Sequence, residues 1–113
     1  MRPILSALSL TLLLAPNPGA AASFNCTKTG LAPDEKAICA NRDLNDADVR
    51  MVTTLHLLAG LFAMGVRGNM MDDQASWLKQ RQACKADVAC IRDAYKRRQG
   101  QLDQIYNNID RPI

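Results

Sequence analysis

Between Gln74 and Tyr95 the chain reads QASWLKQRQACKADVACIRDAY, and this stretch limits what the rest can fold into. It contains the only Trp, two of the four cysteines and one of the two tyrosines. Two amphipathic segments meet here, with Cys84 and Cys90 at the break between them. Trp77, Leu78 and Arg81 lie one helical turn apart, so large apolar groups and a cation share one neighbourhood. Trp77 is either a core anchor beneath a disulfide-stapled corner or an exposed anchor for a partner. The helical spacing favours the core.

The cysteines matter because of where the chain is expected to go. Met1-Arg2 supplies a short positive start, Ile4 to Ala15 is an apolar run, and Ala20-Ala21-Ala22 offers an A-x-A cut before Ser23. Residues 1–22 therefore read as a secretory leader, and residues 23–113 as a single exported domain, periplasmic or secreted. The apolar run is shorter than the roughly 20 residues that span a bilayer. No later segment reaches that length without charge, so no transmembrane segment is expected in the mature chain. Cys26 follows the cut closely, but Ser23-Phe24-Asn25 is a poor approach to a lipidated cysteine.

A domain this small has a marginal core, because ordering each residue costs roughly 1.5 kcal/mol. Disulfides are the expected supplement in an exported chain. Of the three possible pairings, Cys26–Cys39 with Cys84–Cys90 joins neighbours across short segments. Loop entropy assigns ~3 kcal/mol to the first loop and ~2.4 kcal/mol to the second. A structural zinc fits poorly. The spacings match no common site, and His56, the only histidine, lies far from both cysteine pairs in sequence.

Helical periodicity runs through the remainder. Pro33, with Asp34 and Glu35 behind it, suits the first turn of a short helix reaching Ala40. Asn41 is placed to cap a second helix, from about Arg42 to Met64. Its stripe is Leu44, Ala47, Met51, Leu55, Leu58 and Phe62, widened by Val52, Leu57, Ala59 and Leu61. Asp43, Asp46 and Asp48 fall on its polar side. Gly65, Gly68 and Asn69 then read as a turn. A third helix is expected from Met70 or Asp72 to Cys84, with Met71, Ala75, Trp77, Leu78 and Arg81 on or near its inner side. Asp87 caps a fourth, from Val88 to about Asn108. Arg98 falls where that helix expects an apolar residue, so its stem should pack while its guanidinium finds a carboxylate or carbonyl. The fold class is all-α: a small disulfide-stapled bundle or hairpin of about four helices, one short, one medium and two long.

Chemistry is sparse. The carboxylates Asp34/Glu35 and Asp72/Asp73 sit at expected helix starts, which already accounts for them. No nucleotide-binding glycine loop is present, paired cysteines are not nucleophiles, and His56 has no evident nucleophilic partner. No catalytic residue, metal or cofactor is expected; the chain reads as a non-enzyme. Charge is more informative. Residues 23–73 carry a net −2 and residues 74–113 a net +4. Lys79, Arg81, Lys85, Arg92, Lys96, Arg97 and Arg98 suggest a basic face on the last two helices. Nucleic acid is an improbable target outside the cell, whereas an anionic envelope polymer or membrane surface fits.

These residues resemble the lysozyme inhibitor LprI-type N-terminal domain family of exported bacterial proteins. The likeness is carried by Cys26, then Glu35-Lys36-Ala37-Ile38-Cys39, then Leu44 and Asp48. Its second half is Gln74, Trp77, Leu78, Arg81, Cys84, Cys90, Tyr95 and Arg98, and it covers nearly the whole mature chain. The family often has Thr where Ala32 precedes Pro33, forfeiting a cap worth ~1 kcal/mol. It usually has Leu and Tyr where Ala47 and Leu55 stand. The resemblance implies a disulfide-linked helical domain of the cell envelope whose protein partner is a lysozyme. Lysozymes are commonly basic, so Asp43, Asp46 and Asp48 are the expected contact residues. The alternative is a non-inhibitory envelope module that uses Lys79, Lys85, Arg92, Lys96 and Arg97.

Overall fold

The structure, a computed structural model, describes residues 22–110. The expected leader falls on residues 1–21 and Ala22, so all but its last residue lies outside the described part. Within that part the chain is helical, with α1 at Pro33–Ala40, α2 at Arg42–Ala59, α3 at Met64–Ala83 and α4 at Val88–Asn107. An irregular arm from Ala22 to Ala32 precedes α1. Both sequential disulfides are in place, Cys26–Cys39 and Cys84–Cys90, with Cα atoms 5.7 and 5.6 Å apart.

Each long helix turns one stripe inward. On α2 it is Leu44, Asp48, Met51, Leu55 and Leu58; on α3 it is Met70, Gln74, Trp77 and Arg81. On α4 it is Ile91, Tyr95, Arg98 and Leu102, with Ala94 beside it. All three alternate steps of three and four, as one face of a 3.6-residue helix requires. The packing of α2 on α4 is the most extensive, and α1 lies across α2, α3 and α4. Ile38 is fully buried, so α1 closes the end of the bundle that carries both disulfides.

The boundary between α2 and α3 differs from the sequence expectation. The turn is at residues 60–63, and Gly65, Gly68 and Asn69 are helical. A turn at Gly65 or Gly68 would have exploited positive φ, but among the described glycines only Gly30 has it. Once Met70 to Arg81 is anchored by packing, each residue added towards the N-terminus gains a backbone hydrogen bond. A glycine penalty of about 1 kcal/mol does not stop that extension. As a result α3 is as long as α4, not a medium helix. Asp72 and Asp73 lie well inside it, so the helix N-terminus does not explain them. Met71 and Ala75, expected on the inner side, are exposed, and Leu78 is half-buried.

One cap differs from the sequence expectation. Asn41 precedes α2, but its side chain does not cap that helix; it donates back to the Ala37 carbonyl at 2.8 Å and closes α1. Asp87 caps α4 as expected, accepting from the Cys90 N–H. At the start of α1, Glu35 accepts from the Ala32 N–H at 3.0 Å, which supplies half of a capping box despite the missing hydroxyl.

The corner between α3 and α4 holds Lys85 at φ 53°, in the left-handed region. It follows the cap residue Cys84, where glycine is the usual occupant. Two opposite substitutions should therefore both stabilise. Gly68→Ala meets open space at a helical φ, and Lys85→Gly relieves the left-handed penalty. Each should add about 0.5–1 kcal/mol in urea unfolding, with helix content unchanged by circular dichroism.

Candidate functional site

Polar residues in the three stripes form a network at the centre of the bundle. Arg81 Nε donates to Asp34 Oδ2 at 2.8 Å, and its Nη1 donates to the Tyr95 hydroxyl at 3.1 Å. That hydroxyl donates in turn to Asp48 Oδ1 at 2.7 Å, and Arg81 Nη1 lies 3.9 Å from the same oxygen. The second oxygen of Asp48 accepts from the Ser23 backbone N–H at 2.6 Å. Thus α1, α2, α3, α4 and the arm each contribute one group. The aromatic walls fit it closely. Trp77 meets Tyr95 edge to face at 5.0 Å, and the Arg81 guanidinium lies near the Phe24 and Trp77 rings. The Trp77 indole N–H donates to the Ala94 carbonyl, so no polar atom of that ring is stranded.

A second cluster lies alongside. Arg98 donates to Gln74 Oε1 at 2.8 Å, to Gln101 Oε1 at 3.1 Å and to the Met70 carbonyl at 3.4 Å. The Gln74 amide reaches Met51 Sδ. Arg98 thus packs its stem and finds a backbone carbonyl, as its position in the stripe suggests. Burial lowers the affinity of its guanidinium for a proton, and Asp73 partly opposes this. For Tyr95, burial drives the phenol well above its ordinary range; Arg81 pulls the other way and Asp48 reinforces the rise.

The motif residues therefore fall into place as scaffold. Ile38, Leu44, Gln74, Trp77, Arg81, Tyr95 and Arg98 are buried, Leu78 is half-buried, and Glu35 caps α1. Asp48 is the member sequence reasoning misplaced. Asp34 sits in the first turn of α1 as expected, but it is 1% exposed and pairs with Arg81, a role its position alone does not suggest. Asp48 is fully buried, which removes it from the expected contact surface. The signal was available in spacing. Asp48 falls between Leu44 and Met51 in a run of four and three, and Asp34 precedes Ala37 and Ile38 in the same way.

The outer charges are arranged differently from a single acidic face opposed to a single basic one. Arg92 Nη2 lies 2.8 Å from Asp43 Oδ2, so a candidate from each set neutralises the other. Hydrogen bonding to Arg92 holds the Asp43 carboxyl below its ordinary value. Asp46 is exposed, as are Lys79, Lys85, Lys96 and Arg97. Helix α4 divides the cations. Arg92 and Lys96, four residues apart, line a groove of about 510 Å³ against α2, where Arg50 joins them. Arg97, a hundred degrees further round, lines a separate groove of about 490 Å³ against α3, among Gln80, Gln101 and Gln104.

The end of the bundle remote from the disulfides carries a feature absent from the sequence reading. Leu57, Leu61 and Met64 are 69%, 65% and 89% exposed, with Val66, Met71 and Tyr106 also open. Leu57 and Leu61 were expected to widen the buried stripe, but Leu57 sits on the outward face of α2 and Leu61 lies beyond its end at Ala59. Leu57, Leu61 and Tyr106 line a groove of about 270 Å³ with Asp103 on its rim. Phe62, Val66, Ile105 and Ile109 line one of about 560 Å³, rimmed by Asp73 and Asp110. Arg67 is the cation in the first turns of α3. Among the described residues no cluster of His, Cys, Asp and Glu could hold a metal, and all four cysteines are paired. His56 is exposed.

No family model, curated protein or solved structure matches this chain.

The buried network and the exposed pair make opposite predictions. Arg81→Met leaves Asp34 buried without its cation and should cost about 3–5 kcal/mol. Arg92→Ala, at an exposed pair, should leave the urea midpoint within error. Tyr95 supplies a pH test. Its proton is held more tightly in the folded state, so its contribution is intact below the ordinary tyrosine range near 10. Above about pH 10 the unfolded chain ionises first, and stability should fall by up to about 1.4 kcal/mol per pH unit. The check is the difference in urea midpoint between wild type and Tyr95→Phe across pH 8 to 11, which should shrink as pH rises.

Proposed function

We propose that this chain is an exported binding protein of the bacterial cell envelope that inhibits a lysozyme-like muramidase. In this reading the apolar, acid-rimmed end of the bundle seats on the enzyme. The observation that carries it is the exposure of Leu57, Leu61 and Met64 at one end of a disulfide-braced scaffold. Large apolar side chains grouped on a small domain mark a surface that another protein covers. The acids Asp73, Asp103 and Asp110 around it suit the basic character common among lysozymes. Export by a leader ending at Ala22 supports the location, as do two disulfides. So does the fact that no described helix is long and apolar enough to cross a membrane. The choice of a muramidase rests on the family resemblance.

A standard interface of about 800 Å² on each partner is large for so small a domain. A rigid bundle loses little freedom on docking, which favours tight binding from a modest patch. The carboxylates Asp43 and Asp46 are less suited, because Arg92 occupies the first.

A second reading draws on the groove between α2 and α4. There Arg50 adds to Arg92 and Lys96, which favours a non-inhibitory module binding an anionic envelope polymer or membrane surface. It requires binding that weakens with salt.

The mature oxidised protein titrated into a panel of lysozymes should abolish wall lysis. The exposed double substitution Leu61→Lys with Met64→Lys should weaken inhibition about a hundred-fold while leaving the thermal midpoint unchanged. Arg92→Glu with Lys96→Glu should have little effect. Undiminished lysis at micromolar excess of inhibitor overturns the reading. Salt-sensitive binding to peptidoglycan or anionic vesicles, lost in the Arg92/Lys96 variant, would point to the second.

A further inference from the structure

The central network carries unequal charge. Two carboxylates, Asp34 and Asp48, face one guanidinium, Arg81. Arg81 makes its short contact with Asp34 and approaches Asp48 only to 3.9 Å. The closest donor to Asp48 is instead the Ser23 backbone nitrogen, 25 residues away in sequence and 2.6 Å from Oδ2. As an amide, Ser23 brings a single N–H and no charge, and one buried carboxylate is left without a counter-ion. That is an expensive arrangement.

Ser23 is also the first residue after the A-x-A site. We propose that Asp48 is the receptor for the α-ammonium group created when the leader is cut between Ala22 and Ser23, so that processing completes the charge balance of the core. The inference rests on the export reading and is independent of the muramidase. Hydrolysis by a leader peptidase adds one water across the Ala22–Ser23 bond. Ala22 departs with a carboxylate, and Ser23 keeps a nitrogen that is protonated at neutral pH. The neutral donor on Asp48 becomes a cation, and two negative charges then meet two positive ones. Asp48 on α2 is the group in contact with the new terminus; Tyr95 on α4 and Arg81 on α3 meet its other oxygen, and Asp34 on α1 meets Arg81.

The arm is built to hold the terminus there. Phe24 lies against the Arg81 guanidinium, 5.8 Å from its ring centre, and Cys26 is tied to Cys39 on α1. A cut one residue earlier would displace the ammonium by up to about 3.6 Å and return Ser23 to a neutral amide. The position of the cut, and not merely its occurrence, is therefore part of the fold.

The full chain, expressed with its leader in an exporting host, should yield a product whose intact mass and first sequenced residue identify Ser23. Three oxidised proteins are then compared in urea: one beginning at Ser23, one beginning at Ala22, and one beginning at N-acetyl-Ser23, made by ligation at Cys26. The folded-to-unfolded ratio of the second and third should be lower by about ten-fold or more, the gap between charged and neutral hydrogen bonds. In an Asp48→Asn background the three should be alike. An unprocessed chain of 113 residues overturns the export reading and the inference with it. A product starting elsewhere, or three equally stable proteins, overturns the inference while leaving export intact. Should Asp48→Asn fail to fold, the acetylated chain still decides, since it differs from the native terminus only by its charge and a small cap.

Discussion

Arg81 lies 6% exposed in the middle of the bundle, and its guanidinium contacts groups from every other helix. Removing such a charge from water costs several kcal/mol, and the attraction of Asp34 and Asp48 repays it only where the geometry is good and every donor is used. Here the geometry is demanding. Asp34 must face inward from α1, Asp48 from α2 and Tyr95 from α4, all within reach of one planar fork. A rotation of any helix by one residue, about 100°, would break the set. Apolar stripes alone tolerate such slips more readily, because one methylene substitutes for another. The network therefore does more for register than for raw stability.

The disulfides and the network act on different parts of the problem. Cys26–Cys39 and Cys84–Cys90 each close a short loop and restrict the unfolded chain. They tie the arm to α1 and bracket the corner between α3 and α4, at the same end of the bundle that α1 closes. Among the described residues, the other end has neither a crosslink nor a buried ion pair. There α3 begins with fully exposed turns, and Leu57, Leu61 and Met64 stand open. Crosslinks and exposed apolar surface are thus separated along the bundle.

Helix α4 shows how a single element presents different residues to different surroundings. Its residues 91, 95, 98 and 102 face the core, 92 and 96 face the groove against α2, and 97, 101 and 104 face the groove against α3. Consecutive cations Lys96, Arg97 and Arg98 consequently have three different fates. One lines a groove with Arg50, one lines a groove among glutamines, and one is buried against Gln74 and the Met70 carbonyl. A basic run in sequence is not a basic face when it winds around a helix.

Much of the architecture was legible in the residue order. The four helices, the disulfide partners, the Asp87 cap and the inward Trp77, Tyr95 and Arg98 follow from local rules: 3.6-residue periodicity, short-loop closure and capping chemistry. Three matters required the tertiary structure. Gly65 and Gly68 look like turn residues, yet they are helical because α3 is anchored further along. Asp34 reads as a first-turn acid and Asp48 as part of the polar side of α2, yet both are buried because Arg81, Tyr95 and Ser23 arrive from distant positions. Leu57 and Leu61 look like extensions of the core stripe, yet Leu57 is on the outward face of α2 and Leu61 lies beyond its last turn, and both are exposed. Periodicity reports which residues share a face. It does not report what lies opposite, and for a carboxylate or a leucine the partner decides between inside and outside.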